Sequence, residues 1–250
     1  MRVLSRRLIN MQKVLCFLVA SCVAPWSFSQ NVLFSNAENN NLTGDGLWTR
    51  SRPAGGFYSE IQGYNTVAGF RGSIEPGAND RLADDFCVGG FGWRLLGASL
   101  FMYETDVNAL SIYAGLFEVR QNLWGVVGPL VATGSFVSSS WTDTYRIFKN
   151  APADNRRIQK VDVAFDVPLP SGKYYLVWAT KGAQYKTGPW NPYLTGPGIT
   201  TLPGANAKYS LNGGATYDYI QDGLANQDFP FVLYGSQNSN SNYNHLEPPR

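Results

Sequence analysis

The sequence predicts an all-β protein, an antiparallel β-sandwich or jelly roll built as a single domain. Three observations carry that expectation. Several runs alternate apolar and polar residues with a period of two. Clusters of Gly, Pro, Asn and Asp interrupt them at short intervals. No stretch shows a convincing helical period, and strands and helices do not alternate.

The strands can be taken in order. Leu96, Ala98, Leu100 and Met102 alternate with Gly97, Ser99, Phe101 and Tyr103. Leu110 to Val119 alternates more loosely, with apolar residues on both faces. Val161, Val163, Phe165 and Val167 alternate with Asp162, Ala164 and Asp166, which predicts a strand with one wet face. Lys173 to Thr180 is apolar on both faces, as a central, doubly covered strand requires. Phe229 to Tyr234 closes the domain, and Pro230 places itself at an edge or a strand start because it has no N–H to donate. Gly89-Gly90-Phe91-Gly92, Pro168 to Gly172, Asn212-Gly213-Gly214 and Asp222-Gly223 supply the reversals. Residues Asn36 to Gly56 read as a long polar surface loop. The Asn/Ser-rich segment from Ser236 to Arg250 reads as a flexible tail.

Residues 1–29 read as a secretion signal. Arg2, Arg6, Arg7 and Lys13 precede the apolar run VLCFLVASCV, Val14 to Val23, which is too short to span a bilayer. Ser27 and Ser29 place the cut before Gln30, leaving residues 30–235 as the sandwich. Met11 is an alternative start. Val19-Ala20-Ser21-Cys22 is a second processing route, with a lipid on Cys22 in place of simple secretion. Both routes give an extracellular or periplasmic location.

Removing the leader reverses the charge balance. The full chain has 20 Lys plus Arg and 18 Asp plus Glu, and four basic but no acidic residues lie in 1–29. The remainder has 16 basic against 18 acidic groups, net −2, so nucleic-acid binding loses its electrostatic support. Cys16 and Cys22 leave with the leader, and Cys87 then has no internal partner. Its setting, Phe86-Cys87-Val88, predicts a buried thiol. The only histidine, His245, lies in the tail, which removes in-domain histidine acid–base chemistry and multi-histidine zinc sites.

Four motifs follow one another along the chain: Ala83-Asp84-Asp85-Phe86, Gly92-Trp93, Gly172-Lys173-Tyr174-Tyr175-Leu176-Val177-Trp178, and Phe229 to Gly235. In this order they resemble secreted bacterial β-sandwich domains often found upstream of a PEP-CTERM sorting signal. The resemblance runs from about Val32 to Gly235. It implies an exported sandwich with a role at the cell surface or in the matrix, and no particular activity. The family's C-terminal Pro-Glu-Pro motif, membrane helix and basic end have no counterpart in Glu247-Pro248-Pro249-Arg250.

Two sets of residues stand out as sites. Tyr185, Trp190 and Tyr193 fall in a Gly/Pro-rich segment with Lys186 and Asn191 nearby. Exposed aromatic rings can stack on the apolar faces of sugars while amide and amine groups bond the hydroxyls. The competing reading packs Trp190 beneath its own loop, and the same ambiguity attaches to Trp48, Trp124 and Trp141. Asp84 shares a strand face with Leu82, Phe86 and Val88, so it must be paired or hydrogen-bonded. With Asp80 and Asp85 it is a candidate for a structural calcium ion, the one cofactor the sequence brings to mind. Asp84, Asp85, Glu104, Asp106, Asp218 and Asp222 are the acids available to a glycan hydrolase. The expectation is a non-catalytic extracellular binding module, with polysaccharide or another cell-surface component as partner. A purely structural matrix component and a hydrolase using paired carboxylates are the alternatives.

Overall fold

The computed structural model describes residues 31–37, 46–47, 49–61, 65–149, 151–182, 188–195 and 200–239. The leader, Trp48, Tyr185, Lys186, His245 and the tail beyond Ser239 lie outside the described residues.

Two β-sheets face one another, and no helix occurs among the described residues. The larger sheet runs Asn31–Ser35, Phe231–Gln237, Trp93–Tyr103, Arg157–Leu169, Ser135–Phe148, Phe57–Ile61, Arg50–Ser51. The short strands Phe70–Arg71 and Trp190–Asn191 attach to its Trp93–Tyr103 side. The smaller sheet runs Asp218–Tyr219, Lys208–Ser210, Arg81–Val88, Gly172–Lys181, Ala114–Leu123, Val126–Thr133. Gln221–Asp222 and Ala225–Asn226 form a separate two-stranded ribbon. Among the described residues the strands pair antiparallel except Phe57–Ile61 with Thr144 to Phe148, which run parallel, and an isolated parallel bridge joins Ser73 to Thr180.

The alternation read in the sequence sets the core. Leu82, Phe86, Phe117, Val119, Leu176 and Trp178 project from the smaller sheet against Leu100, Met102, Val161, Val163, Phe231 and Leu233 of the larger. Each fully buried side chain of this kind contributes ~1.5–3 kcal/mol. Gly172–Lys181 is central in its sheet, between Arg81–Val88 and Ala114–Leu123, and is buried on both faces from Tyr174 to Thr180. The second face is covered because Ala83, Tyr175 and Val177 gather Leu116, Val127 and Tyr217 into a small outer cluster. The Gly89–Gly92 reversal joins two long strands. There Gly92, at φ 93°, approaches the carbonyl of Leu169 so closely that an added Cβ would lie 2.5 Å from the oxygen.

Several expectations are corrected. Cys87 is exposed, because on a period-two strand it must oppose buried Phe86 and Val88. Asp162 is not on a wet face: it is 8 % exposed, accepting a hydrogen bond from Ser99 Oγ at 2.6 Å and lying 3.2 Å from Lys160 Nζ. Cross-strand Ser99 and Ser138 flank it. Asp166 on the same face does reach solvent, paired with Arg94. The loosely alternating strand is Ala114–Leu123, and Leu110 lies exposed before it. The segment read as a surface loop places Ala37 and Leu47 wholly in the interior and forms the strand Arg50–Ser51. Pro230 precedes a strand that is internal in its sheet, so its role is the strand start.

Candidate functional site

The most unusual residue of the described chain is Trp124. The strands Ala114–Leu123 and Val126–Thr133 are joined by the two-residue turn Trp124-Gly125, and both residues have positive φ, 56° and 87°. That is the backbone of a type I′ hairpin turn, which favours Asn and Gly because a side chain in the left-handed region costs about 1 kcal/mol or more. Tryptophan here accepts that strain, and its side chain is fully exposed. Burial gives nothing back.

The turn is braced from below. The Gly125 N–H donates to Asn122 Oδ1 at 2.7 Å, and Tyr175 Oη donates to the Gly125 carbonyl at 3.2 Å. Asn122 Nδ2 in turn donates to Asp85 Oδ2 at 3.2 Å. Asp85 and Tyr175 are cross-strand partners on the outer face of the smaller sheet. Burial, then the neighbouring Asp85, pushes the Tyr175 phenol far up, so its hydroxyl stays a donor.

These groups enclose a cleft of about 600 Å³. Trp124, Leu123 and Tyr219 form its apolar walls, and Tyr175 its floor. Asp85, Lys173, Asn122 and Asn206 supply polar groups. Tyr219 is half exposed, with Lys208 Nζ 3.7 Å from its ring centroid. Asn206 Oδ1 is buried with no hydrogen-bond partner among the described residues. Chemically, the cleft offers an accessible indole face, donors (Lys173, the Asn amides) and acceptors (Asp85, Asn206).

The segment singled out in the sequence behaves differently. Trp190 is half-buried, with its backbone paired to Arg71 and Tyr103. Asn191 is buried, accepting from Trp178 Nε1 at 2.9 Å and donating to the Phe70 carbonyl at 3.2 Å. Tyr193 is wholly buried: its hydroxyl donates to Asp222 Oδ2 at 3.0 Å, and Arg146 lies 4.5 Å over its ring. Asn191 and Tyr193 are therefore core residues rather than parts of an exposed platform. Arg146 is itself fully buried, donating to the Ala68 carbonyl at 2.8 Å and Ser59 Oγ at 2.9 Å. Asp222 also accepts the N–H groups of Thr66 and Val67.

The three carboxylates read as calcium ligands point apart. Asp80 is ion-paired with Arg71. Asp84 faces the core and accepts the N–H groups of Asp85 and Phe229, at 2.8 and 2.7 Å. Asp85 faces the outer cleft. Among the described residues no three metal-ligating side chains cluster.

Burial, reinforced by Asp228, raises the Asp84 pKa well above the ordinary carboxylate range. Burial likewise raises that of Asp228, which accepts the N–H groups of Asn206 and Ala207. Both groups hold protons in the fold at pH values where the unfolded chain has released them. Their stabilisation is complete in acid and is lost as pH rises through the raised values. The melting temperature is expected to fall as pH rises from the ordinary carboxylate range through these raised values, and Asp84→Asn to flatten that slope. Thermal melts across the range check it, and a melting temperature that climbs with pH would refute it.

Sequence reasoning named Trp124 only among ambiguous aromatics, and missed Tyr175, Tyr219, Asn122 and Asn206. The one local signal was Trp-Gly between two strands. Compared with known proteins, the chain matches no family model, no curated protein and no solved structure.

Proposed function

We propose that the chain is a secreted carbohydrate-binding β-sandwich protein of the cell surface or matrix, and that it holds glycan in the cleft beneath Trp124 without cleaving it. One observation carries the reading: a fully exposed indole, in a strained turn that three hydrogen bonds hold rigid, above a cleft of mixed donors and acceptors. Strain at a surface residue that gains no burial points to a binding role. Indole faces stack on the apolar faces of sugar rings, and a braced turn loses little entropy when ligand docks. Asp85 is the only carboxylate among the described residues lining the cleft, whereas glycoside hydrolysis uses two across the scissile bond. This favours binding over turnover. Export rests on the basic and apolar leader at residues 1–29.

The test is retention on glycans, by array and by electrophoresis through polysaccharide-containing gels. Trp124→Gly is expected to abolish retention while the melting temperature stays at or above wild type, because glycine accepts positive φ freely. Wild-type protein that ignores every glycan, or a Trp124→Gly variant that binds normally, would overturn the reading.

A further inference from the structure

We infer that the ligand is an internal stretch of an uncharged polysaccharide, lying along three adjoining cavities of which the Trp124 cleft is the first. This rests on the carbohydrate reading and extends it to the class and length of glycan. Two aromatic residues join the cavities. Tyr219 walls both the first cleft and a second cavity of about 710 Å³. Trp190 walls both that second cavity and a third of about 490 Å³. The path therefore runs from Trp124 past Tyr219 and past Trp190, with an aromatic side chain at its start and at each junction. A pocket for a chain end would be closed on one side. This arrangement is instead a series of neighbouring spaces along one surface.

The junction residues are held in place. The backbone of Trp190 is paired on both sides, with Arg71 and with Tyr103. Tyr219 is paired with Lys208, whose ammonium lies over its ring. The half-buried state of Trp190 fits a residue that presents an edge or part of a face to two cavities. The sequence proposed a role for this tryptophan in sugar binding. On the present proposal its companions are Tyr209, Tyr219 and Leu211, in place of the buried Asn191 and Tyr193.

The charge pattern selects the class of polymer. Among the described residues each cavity has one basic and one acidic side chain in its wall: Lys173 and Asp85, Arg71 and Asp80, Arg156 and Asp106. In the second cavity the two are ion-paired to one another. In the third, Asp106 accepts a hydrogen bond from Asn155 Nδ2 at 3.1 Å. The described wall residues of the three cavities therefore balance in charge, and the one ammonium beside them, Lys208, is turned onto the Tyr219 ring. The paired groups present fixed donors and acceptors, which suits hydroxyl recognition.

The experiment measures affinity against chain length by calorimetry. The probes are xylo-, manno- and cello-oligosaccharides from disaccharide to hexasaccharide, with oligogalacturonides of the same lengths. The wild type is expected to bind the hexasaccharide of one neutral series at least about tenfold more tightly than its disaccharide, and more tightly than any oligogalacturonide. Tyr219→Ala and Trp190→Phe are expected to shrink the gain with length. Trp190→Phe should lower hexasaccharide affinity more than disaccharide affinity, because the first cleft does not include Trp190. Tyr219 is an exposed residue, so its variant reports on the track even if changes at Trp190 disturb folding. Trp124-dependent binding that does not grow with length, or that prefers the uronate series, overturns the extended neutral track and leaves the carbohydrate reading standing. Binding to none of the probes and to no glycan on the array overturns both.

Discussion

Val163→Asp is expected to abolish the cooperative thermal transition. Val163 is wholly buried and belongs to the inner face of Arg157–Leu169, where it pairs across the sheet with Ala98 and Phe136. An unpaired carboxylate placed there costs several kcal/mol, a large fraction of the ~5–15 kcal/mol that stabilises a domain. The neighbouring residue gives the comparison. Asp162→Ala removes the acceptor for Ser99 Oγ and the ion partner of Lys160, and is expected to cost about 1–3 kcal/mol with folding retained. Circular-dichroism melts of the two variants test this. Equal melting points, or a neutral Asp162→Ala, would contradict the register described here.

Arg146→Ala is the second large effect, with an expected loss of about 3–5 kcal/mol in urea unfolding. The guanidinium links Ser59 of one strand, the Ala68 carbonyl of a connecting segment and the ring of Tyr193. Tyr193 passes the link on to Asp222, which secures Thr66 and Val67. Deleting the cation leaves the half-buried Ala68 carbonyl and the buried Ser59 hydroxyl without that donor, and removes the positive charge that Arg146 places near Asp222. Arg146→Lys is expected to recover little of the loss, since an ammonium cannot present two divergent N–H groups and stack on Tyr193 together. A midpoint within experimental error of wild type for either variant would show that this network contributes little.

How legible these features were depended on whether neighbours in sequence or neighbours in space decided them. Alternation alone put Leu82, Asp84, Phe86 and Val88 on one face, and Val161 to Val167 on another, as the structure has them. The same alternation puts Cys87 outside, and only the apolar character of its neighbours argued otherwise. Asp162 alternates like a surface residue, and what buries it is Ser99 and Ser138 from strands distant in sequence. Asn191 and Tyr193 sit in a Gly/Pro-rich segment whose composition reads as loop. Their burial comes from Trp178, Arg146 and Asp222, which no local pattern announces. Trp124 was the reverse case: a large apolar residue in a turn, whose exposure follows only from the backbone conformation of that turn.

The placing of Phe231–Gln237 has a consequence for the order of assembly. This strand lies between Asn31–Ser35 and Trp93–Tyr103, and the Phe231 N–H donates to Asn36, 195 residues earlier. Until it arrives, Trp93–Tyr103 has an open edge on that side and Asn31–Ser35 lacks the strand that it joins in the sheet. The larger sheet therefore cannot close until the chain as far as Gln237 is free to pair. Closing so long a loop makes the last step slow and leaves a sticky intermediate with unpaired N–H and C=O groups. Yield on refolding should accordingly depend on dilution more than on the strength of any single contact in the finished molecule.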